Sequence, residues 1–162
     1  MTWTIELPDL AATEQLGRRL GSVLSAGATI ALNGTLGAGK THPTRAIAEG
    51  LNVVNPALVN SPTFVLIQEY PARLPIYHFD AYRLKSSAEF ESLGTDEYFQ
   101  SGGVCIVEWA EKVASSLPDD RLEITIGIIG PTARRLTISA DGPNANKILD
   151  SFVQLESPST GR

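Results

Sequence analysis

The densest chemical signal in the chain is the stretch Gly34-Thr35-Leu36-Gly37-Ala38-Gly39-Lys40-Thr41, which fits the spacing G-x-x-x-x-G-K-[ST] and directly follows the apolar run Ala28-Thr29-Ile30-Ala31-Leu32-Asn33. Glycines let such a loop curl until successive backbone N–H groups, here those of Leu36, Gly37, Ala38 and Gly39, point inward as a nest for a polyphosphate. The helix that follows adds its positive N-terminal end. Lys40 reaches the β- and γ-oxygens as a mobile point charge, and the Thr41 hydroxyl is placed to ligate Mg²⁺ between the same phosphates. His42 keeps its N–H for an α-phosphate. Pro43 lacks one, which a helix tolerates in its first turn, where the N–H groups have no intrahelical acceptor. The competing reading is a chance glycine-rich turn; the full match between a strand and a helix favours ATP or a related nucleotide.

Hydrolysis of a nucleotide also needs a carboxylate at the end of a neighbouring strand to hold Mg²⁺, and a group to orient water. Glu108 ends the most apolar run, Val104-Cys105-Ile106-Val107, where an unpaired buried charge would be expensive, so a metal or strong donor is expected beside it. Asp80 ends Ile76-Tyr77-His78-Phe79 and is the second candidate; its plainer reading is a turn residue capping Ala81-Tyr82-Arg83, or a partner of Arg83. Thr63, in Ser61-Pro62-Thr63-Phe64, sits where phosphate-loop hydrolases keep a switch threonine, and is otherwise a β-favouring residue after a turn proline. His78 reads as a satisfied core residue rather than a base, and Trp109 as packing, with its ring close enough to Glu108 to meet a nucleotide or a partner.

The elements that must position these groups follow from periodicity. Trp3 to Leu7 alternates as a strand, and Leu16, Leu20, Val23 and Leu24 mark a helix over 10–26, with Gly27 as its stop. Gly17 and Gly21 on that helix predict close packing against another backbone. A strand over 28–33, the phosphate loop, a helix from about 40 to 51 and an irregular connection over 52–60 come next. The runs 65–70 and 74–80 form a hairpin across Pro71-Ala72-Arg73. One or two short helices occupy 86–99, with Ser87 as a candidate cap and Phe90, Leu93, Tyr98 and Phe99 turned inward. The run 104–107 reads as a parallel strand buried on both faces, 110–117 as a short helix, 121–129 and 134–140 as a second hairpin, and 144–155 as a closing helix. Together these predict a three-layer α/β domain of the phosphate-loop NTPase type with a mixed parallel and antiparallel central sheet, spanning 1–156, before a loose tail over 157–162.

A chain of 162 residues is one domain by length, and its net charge of −5, with no run of lysines or arginines, argues against a broad electrostatic grip on nucleic acid. The one cysteine, Cys105, lies in an apolar run, so neither a disulfide framework nor a cysteine zinc site can be built, and a buried structural thiol is expected. With no signal-like start and no membrane-length apolar segment, a cytoplasmic location is expected.

GTLGAGKT, SPTF, HFDAYRL and VEWAEK, in that order and spacing, resemble the bacterial TsaE family, also called YjeE. The resemblance covers about Ile5 to Ala140, and HFDAYRL and VEW are far more specific than the loop. It implies an ATPase required for threonylcarbamoyladenosine modification of tRNA at adenosine 37. The modification itself is performed by a partner, TsaD, which acts with TsaB and is reset by the ATPase; tRNA is met only through that complex. By motif match, Lys40 and Thr41 would serve the phosphates and Mg²⁺, Glu108 the metal, and Asp80 and Thr63 the metal shell or water. Leu10 and Arg134 resemble positions that flank the base. The chain departs from the family where His42-Pro43 replaces a second threonine after Thr41, which bears on the α-phosphate contact and on rate. Two other functions are compatible with the loop alone: a small-molecule kinase, though the scattered arginines do not make a lid, and a nucleotide-dependent binding module.

Overall fold

A strand made of Val104-Cys105-Ile106-Val107 has no polar face to offer water and must be covered on both sides. In the computed structural model, which describes residues 1–33, 43–59 and 66–156, this strand is β5 (Val104–Glu108), and all five of its residues are buried. Its companions are β1 (Thr2–Leu7), β2 (Thr29–Asn33), β3 (Ile67–Tyr70), β4 (Ile76–Asp80), β6 (Arg121–Ile128) and β7 (Arg134–Asp141). They form one seven-stranded sheet in the order β1-β7-β6-β2-β5-β4-β3. The central strands β4, β5, β2 and β6 are mutually parallel, while β3, β7 and β1 pair antiparallel at the flanks. The C-terminal ends of the parallel strands therefore share one edge, the edge at which β2 delivers the chain to Gly34.

Strand alternation sends successive side chains to opposite faces. On one face Ile30, Leu32, Ile76, Val104, Ile106, Leu122, Ile124 and Ile138 pack with side chains of α1 (Leu10–Ser22), α2 (Pro43–Gly50) and α5 (Pro143–Glu156). Phe152 of α5 meets Trp3 of β1 edge to face at 5.2 Å between ring centroids. On the other face Ala31, Phe79, Cys105 and Val107 lie under α3 (Ser87–Glu91), α4 (Thr95–Phe99) and a 3-10 segment, Ala110–Ser116. Burial pushes the Cys105 thiol up to about 12, as suits a structural thiol. Among the described residues the third layer covers β2, β5, β4 and the start of β3, where Ile67 packs against it. Beyond them the same face carries Thr125, Arg135, Thr4 and Thr2, all exposed, the one-sided burial usual for antiparallel strands.

The contact between α1 and α2 depends on glycine. A Cβ built on Gly21 would lie 2.2 Å from the Ile47 carbonyl oxygen, and one on Gly50 would lie 2.1 Å from that of Arg18. The backbones thus approach as the spacing of Gly17 and Gly21 predicts.

Several local expectations shift. Helix α1 ends at Ser22 rather than Ala26, because the Val23 N–H closes back on Leu20 and Gly21 and the Arg73 guanidinium takes the Gly21 and Leu24 carbonyls at 3.1 and 3.0 Å. The cap of α3 is Ser86, not Ser87: the Ser86 Oγ accepts the Glu89 N–H at 3.2 Å, and the Glu89 carboxylate accepts the Lys85 N–H, while Ser87 bonds the Ser115 hydroxyl. The segment after Trp109 is 3-10 with a kink at Val113 rather than a regular α-helix.

Candidate active site

The register of the parallel pair β4 and β5 sets Asp80 directly beside Glu108 at the loop-side edge of the sheet. Period-two alternation then puts His78, two residues before Asp80, on the same face as both carboxylates, the face covered by α2. Two strand-end carboxylates and a histidine thus gather next to β2, the strand that leads into the glycine-rich loop.

Glu108 is 7% exposed. Its Oε2 accepts the Thr44 hydroxyl of α2 at 3.2 Å and is hydrogen-bonded to His78 Nε2. The carboxylate at the end of β5 is therefore tied to the helix that follows the loop. His78 is wholly buried, and its other ring nitrogen, Nδ1, lies 3.3 Å from the Tyr70 hydroxyl, which also bonds the Gln68 side chain. The expectation of a satisfied core histidine holds, and one of its partners is the candidate metal carboxylate.

Asp80 Oδ1 accepts the Tyr82 N–H at 2.9 Å, the turn-capping role open to it from sequence. Its carboxyl is held above the usual carboxylate range, chiefly by burial, with the Glu108 charge adding to the effect. The Tyr82 N–H and the charges of His78 and Arg83 oppose the shift. A cation bound here would relieve the repulsion between the two carboxylates.

The chain then turns sharply away. Trp109 adopts φ 58°, ψ 40°, a left-handed conformation unusual for a bulky side chain. The strained turn is braced on three sides: the Ala81 N–H donates to the Glu108 carbonyl at 3.0 Å, the Tyr82 and Trp109 rings meet at 5.0 Å, and Lys112 Nζ lies 5.2 Å from the Tyr82 ring centroid and donates to its carbonyl at 2.5 Å. Residues around Asp80 and around Glu108 thereby fix the two strand ends to one another.

Leu10 and Arg134 share this edge of the sheet, because Leu7 of β1 pairs with Arg134 at the start of β7. Strands β7 and β1 stand two and three places from β2, roughly 10 and 14 Å away at normal strand spacing. Arg134 is buried, and its Nη1 donates to the Gly130 and Ala133 carbonyls of its own hairpin at 3.2 and 2.9 Å. Leu36, Gly37, Ala38, Gly39, Lys40, Thr41, His42 and Thr63 lie outside the described residues, as does the tail over 157–162.

Sequence reasoning missed Thr44 and the link between His78 and Glu108. The spacing of His78 and Asp80 on one strand was the available sign of the second; nothing local marks Thr44, whose partner is 64 residues away.

Among the described residues no helix is long and apolar enough to cross a membrane, and no group of three or more His, Cys, Asp or Glu is arranged to hold a metal by itself. Mg²⁺ requires no such cage, since one or two carboxylates together with nucleotide phosphates suffice.

A mixed sheet with parallel central strands, helices on both faces, a G-x-x-x-x-G-K-T stretch after β2 and carboxylates ending two neighbouring strands define an α/β domain of the P-loop NTPase type. The crystal structure of YdiB from Bacillus subtilis has the same fold, with a TM-score of 0.80 and 32% identity over 97% of each chain. The family model described as threonylcarbamoyl adenosine biosynthesis protein TsaE matches residues 7–136, and the chain belongs to the TsaE family. The Bacillus subtilis tRNA threonylcarbamoyladenosine biosynthesis protein TsaE is 44% identical over 131 residues, 80% of each chain. The Treponema pallidum protein of the same name is 37% identical over 127 residues, 78% of this chain and 93% of its own.

Proposed function

We propose that this protein is a cytoplasmic, Mg²⁺-dependent ATPase that supports threonylcarbamoyladenosine modification of tRNA adenosine 37 together with TsaD and TsaB, meeting tRNA only through that complex. The observation that carries the reading is the pairing of Asp80 with Glu108 at the ends of adjacent parallel strands, beside the strand that leads into the G-x-x-x-x-G-K-T loop. Their chemistry fits a divalent cation: two hard oxygen donors side by side, one with its carboxyl pushed up chiefly by burial and further by the charge of the other.

In this reading Lys40 and the backbone N–H groups of Leu36 to His42 hold the phosphates, and Thr41, Glu108 and Asp80 hold Mg²⁺. Bound Mg²⁺ would neutralise charge on the β- and γ-oxygens. Asp80 and Thr63 orient water, and Leu10 and Arg134 flank the base. No arginine finger is evident in the sequence, so the protein alone should hydrolyse ATP slowly, on the order of 10⁻³ s⁻¹ or below.

The test is ATP hydrolysis by the purified protein alone and with TsaB, TsaD and a tRNA, beside Lys40→Ala. Partner stimulation that disappears in Lys40→Ala is the expected result. A rate indifferent to the partners, or phosphorylation of a small acceptor with ATPase only as a leak, contradicts the reading.

A further inference from the structure

The geometry points to His78 as the positioning residue for Glu108, fixing the orientation of the carboxylate that the proposed function assigns to Mg²⁺; the inference rests on that assignment. His78 is 0% exposed, and a polar side chain so buried is costly unless its hydrogen bonds are made. Both ring nitrogens are engaged, Nε2 with Glu108 Oε2 and Nδ1 with the Tyr70 hydroxyl, so the ring cannot turn without breaking a contact. An ionised carboxylate only accepts, which puts a proton on Nε2 and makes His78 the donor. The same Oε2 accepts the Thr44 hydroxyl from α2. One oxygen of Glu108 is thus held from β4 on one side and from the helix after the loop on the other. Groups behind a metal-binding side chain act in this way, and their loss typically lowers metal affinity or activity ten- to a hundredfold. A histidine retained only to fill the core would not need its donor at Nε2.

Two substitutions separate these roles. His78→Gln places an amide N–H near the Nε2 position and keeps the donor to Glu108. His78→Asn matches the Nδ1 end, keeps a polar group toward Tyr70 and falls short of Glu108. Both are made in the full chain, alone and with Glu108→Gln, and partner-stimulated kcat is measured together with the Mg²⁺ concentration giving half the maximal rate. In metal-free, nucleotide-free wild-type protein, nitrogen-correlated proton NMR follows the His78 Nε2–H.

His78→Asn should lose about ten- to a hundredfold in rate or Mg²⁺ requirement. His78→Gln should stay close to wild type, and His78→Asn should cost nothing further once Glu108→Gln is present. The wild-type Nε2–H should exchange slowly and shift in Glu108→Gln. Equal effects of the Asn and Gln variants, full additivity with Glu108→Gln, or a wild-type ring without a proton on Nε2 would overturn the inference. Should both variants fail to fold, the wild-type resonance and its response to Glu108→Gln decide. If Lys40→Ala and Glu108→Gln both left hydrolysis intact, the ATPase reading would fail instead, while the NMR signal would still report the contact between His78 and Glu108.

Discussion

Asp80 and Glu108 are each recognisable from sequence as a carboxylate ending an apolar run, but the sequence cannot say that the two runs are neighbours. That follows from strand order, which is a property of the whole sheet. Once adjacent, the two charges work against each other. The folded-state pKa of Asp80 lies above its ordinary value of 3.8, mainly through burial. Any stability from this group is therefore fully present below the unfolded pKa and is lost as pH rises through the folded value, so at neutral pH the ionised carboxylate opposes folding. In Mg²⁺-free buffer at pH 7, Asp80→Asn, which retains an oxygen for the Tyr82 N–H, should melt higher than wild type, with the gap closing as pH falls toward about 4. The same variant should hydrolyse ATP more slowly. A variant that melts lower at pH 7 and keeps its rate would contradict both the electrostatic account and the assigned role. Thr44 and His78 show the other limit of residue-level reading: their importance lies in a partner distant in sequence.

Among the elements, strands were the most legible, because alternation and fully apolar runs report directly how many faces are buried. Both hairpins and the central parallel strand form where periodicity puts them. Helix ends were less legible: the end of α1 depends on Arg73, far along the chain, and the cap of α3 moved by one residue because Ser86, in extended backbone, reaches the Glu89 N–H. Glycine spacing on α1 was informative, since Gly17 and Gly21 fall on one helical face and meet α2 there. Helix α2, which follows the loop in the sequence, carries Thr44 to Glu108, so this contact bears on the site as well as on the core. Gly21→Ala would force a Cβ into the Ile47 carbonyl and the Gly50 backbone, neither of which can yield without moving a helix. It should destabilise the protein by about 3 kcal/mol, or roughly 10 °C in melting temperature. A thermal melt unchanged within about 2 °C would show that the helices can separate without loss.

At the scale of the whole molecule, a sheet that is parallel in the centre and antiparallel at the flanks brings Asp80, Glu108, Arg134 and Leu10 to one edge, and among the described residues a third layer covers the half that carries the carboxylates. The net charge of −5, with no run of lysines or arginines in the sequence, argues against a broad electrostatic grip on nucleic acid. The fold class was legible because one motif fixes a strand, a loop and a helix in sequence. The family was legible because HFDAYRL and VEWAEK are far more specific than the loop, and in the fold the two stretches meet, Tyr82 against Trp109 and Lys112 over the Tyr82 ring. The proposed function requires these strand ends to complete a Mg²⁺·ATP site that turns over in a partner complex. It is tested most directly by measuring ATP hydrolysis with TsaB, TsaD and tRNA for wild type and Glu108→Gln, with ATP binding followed in parallel. Glu108→Gln should still bind ATP but lose at least about a hundredfold in stimulated rate; a Glu108→Gln protein that hydrolyses ATP at the full stimulated rate would show that this carboxylate does not serve the metal.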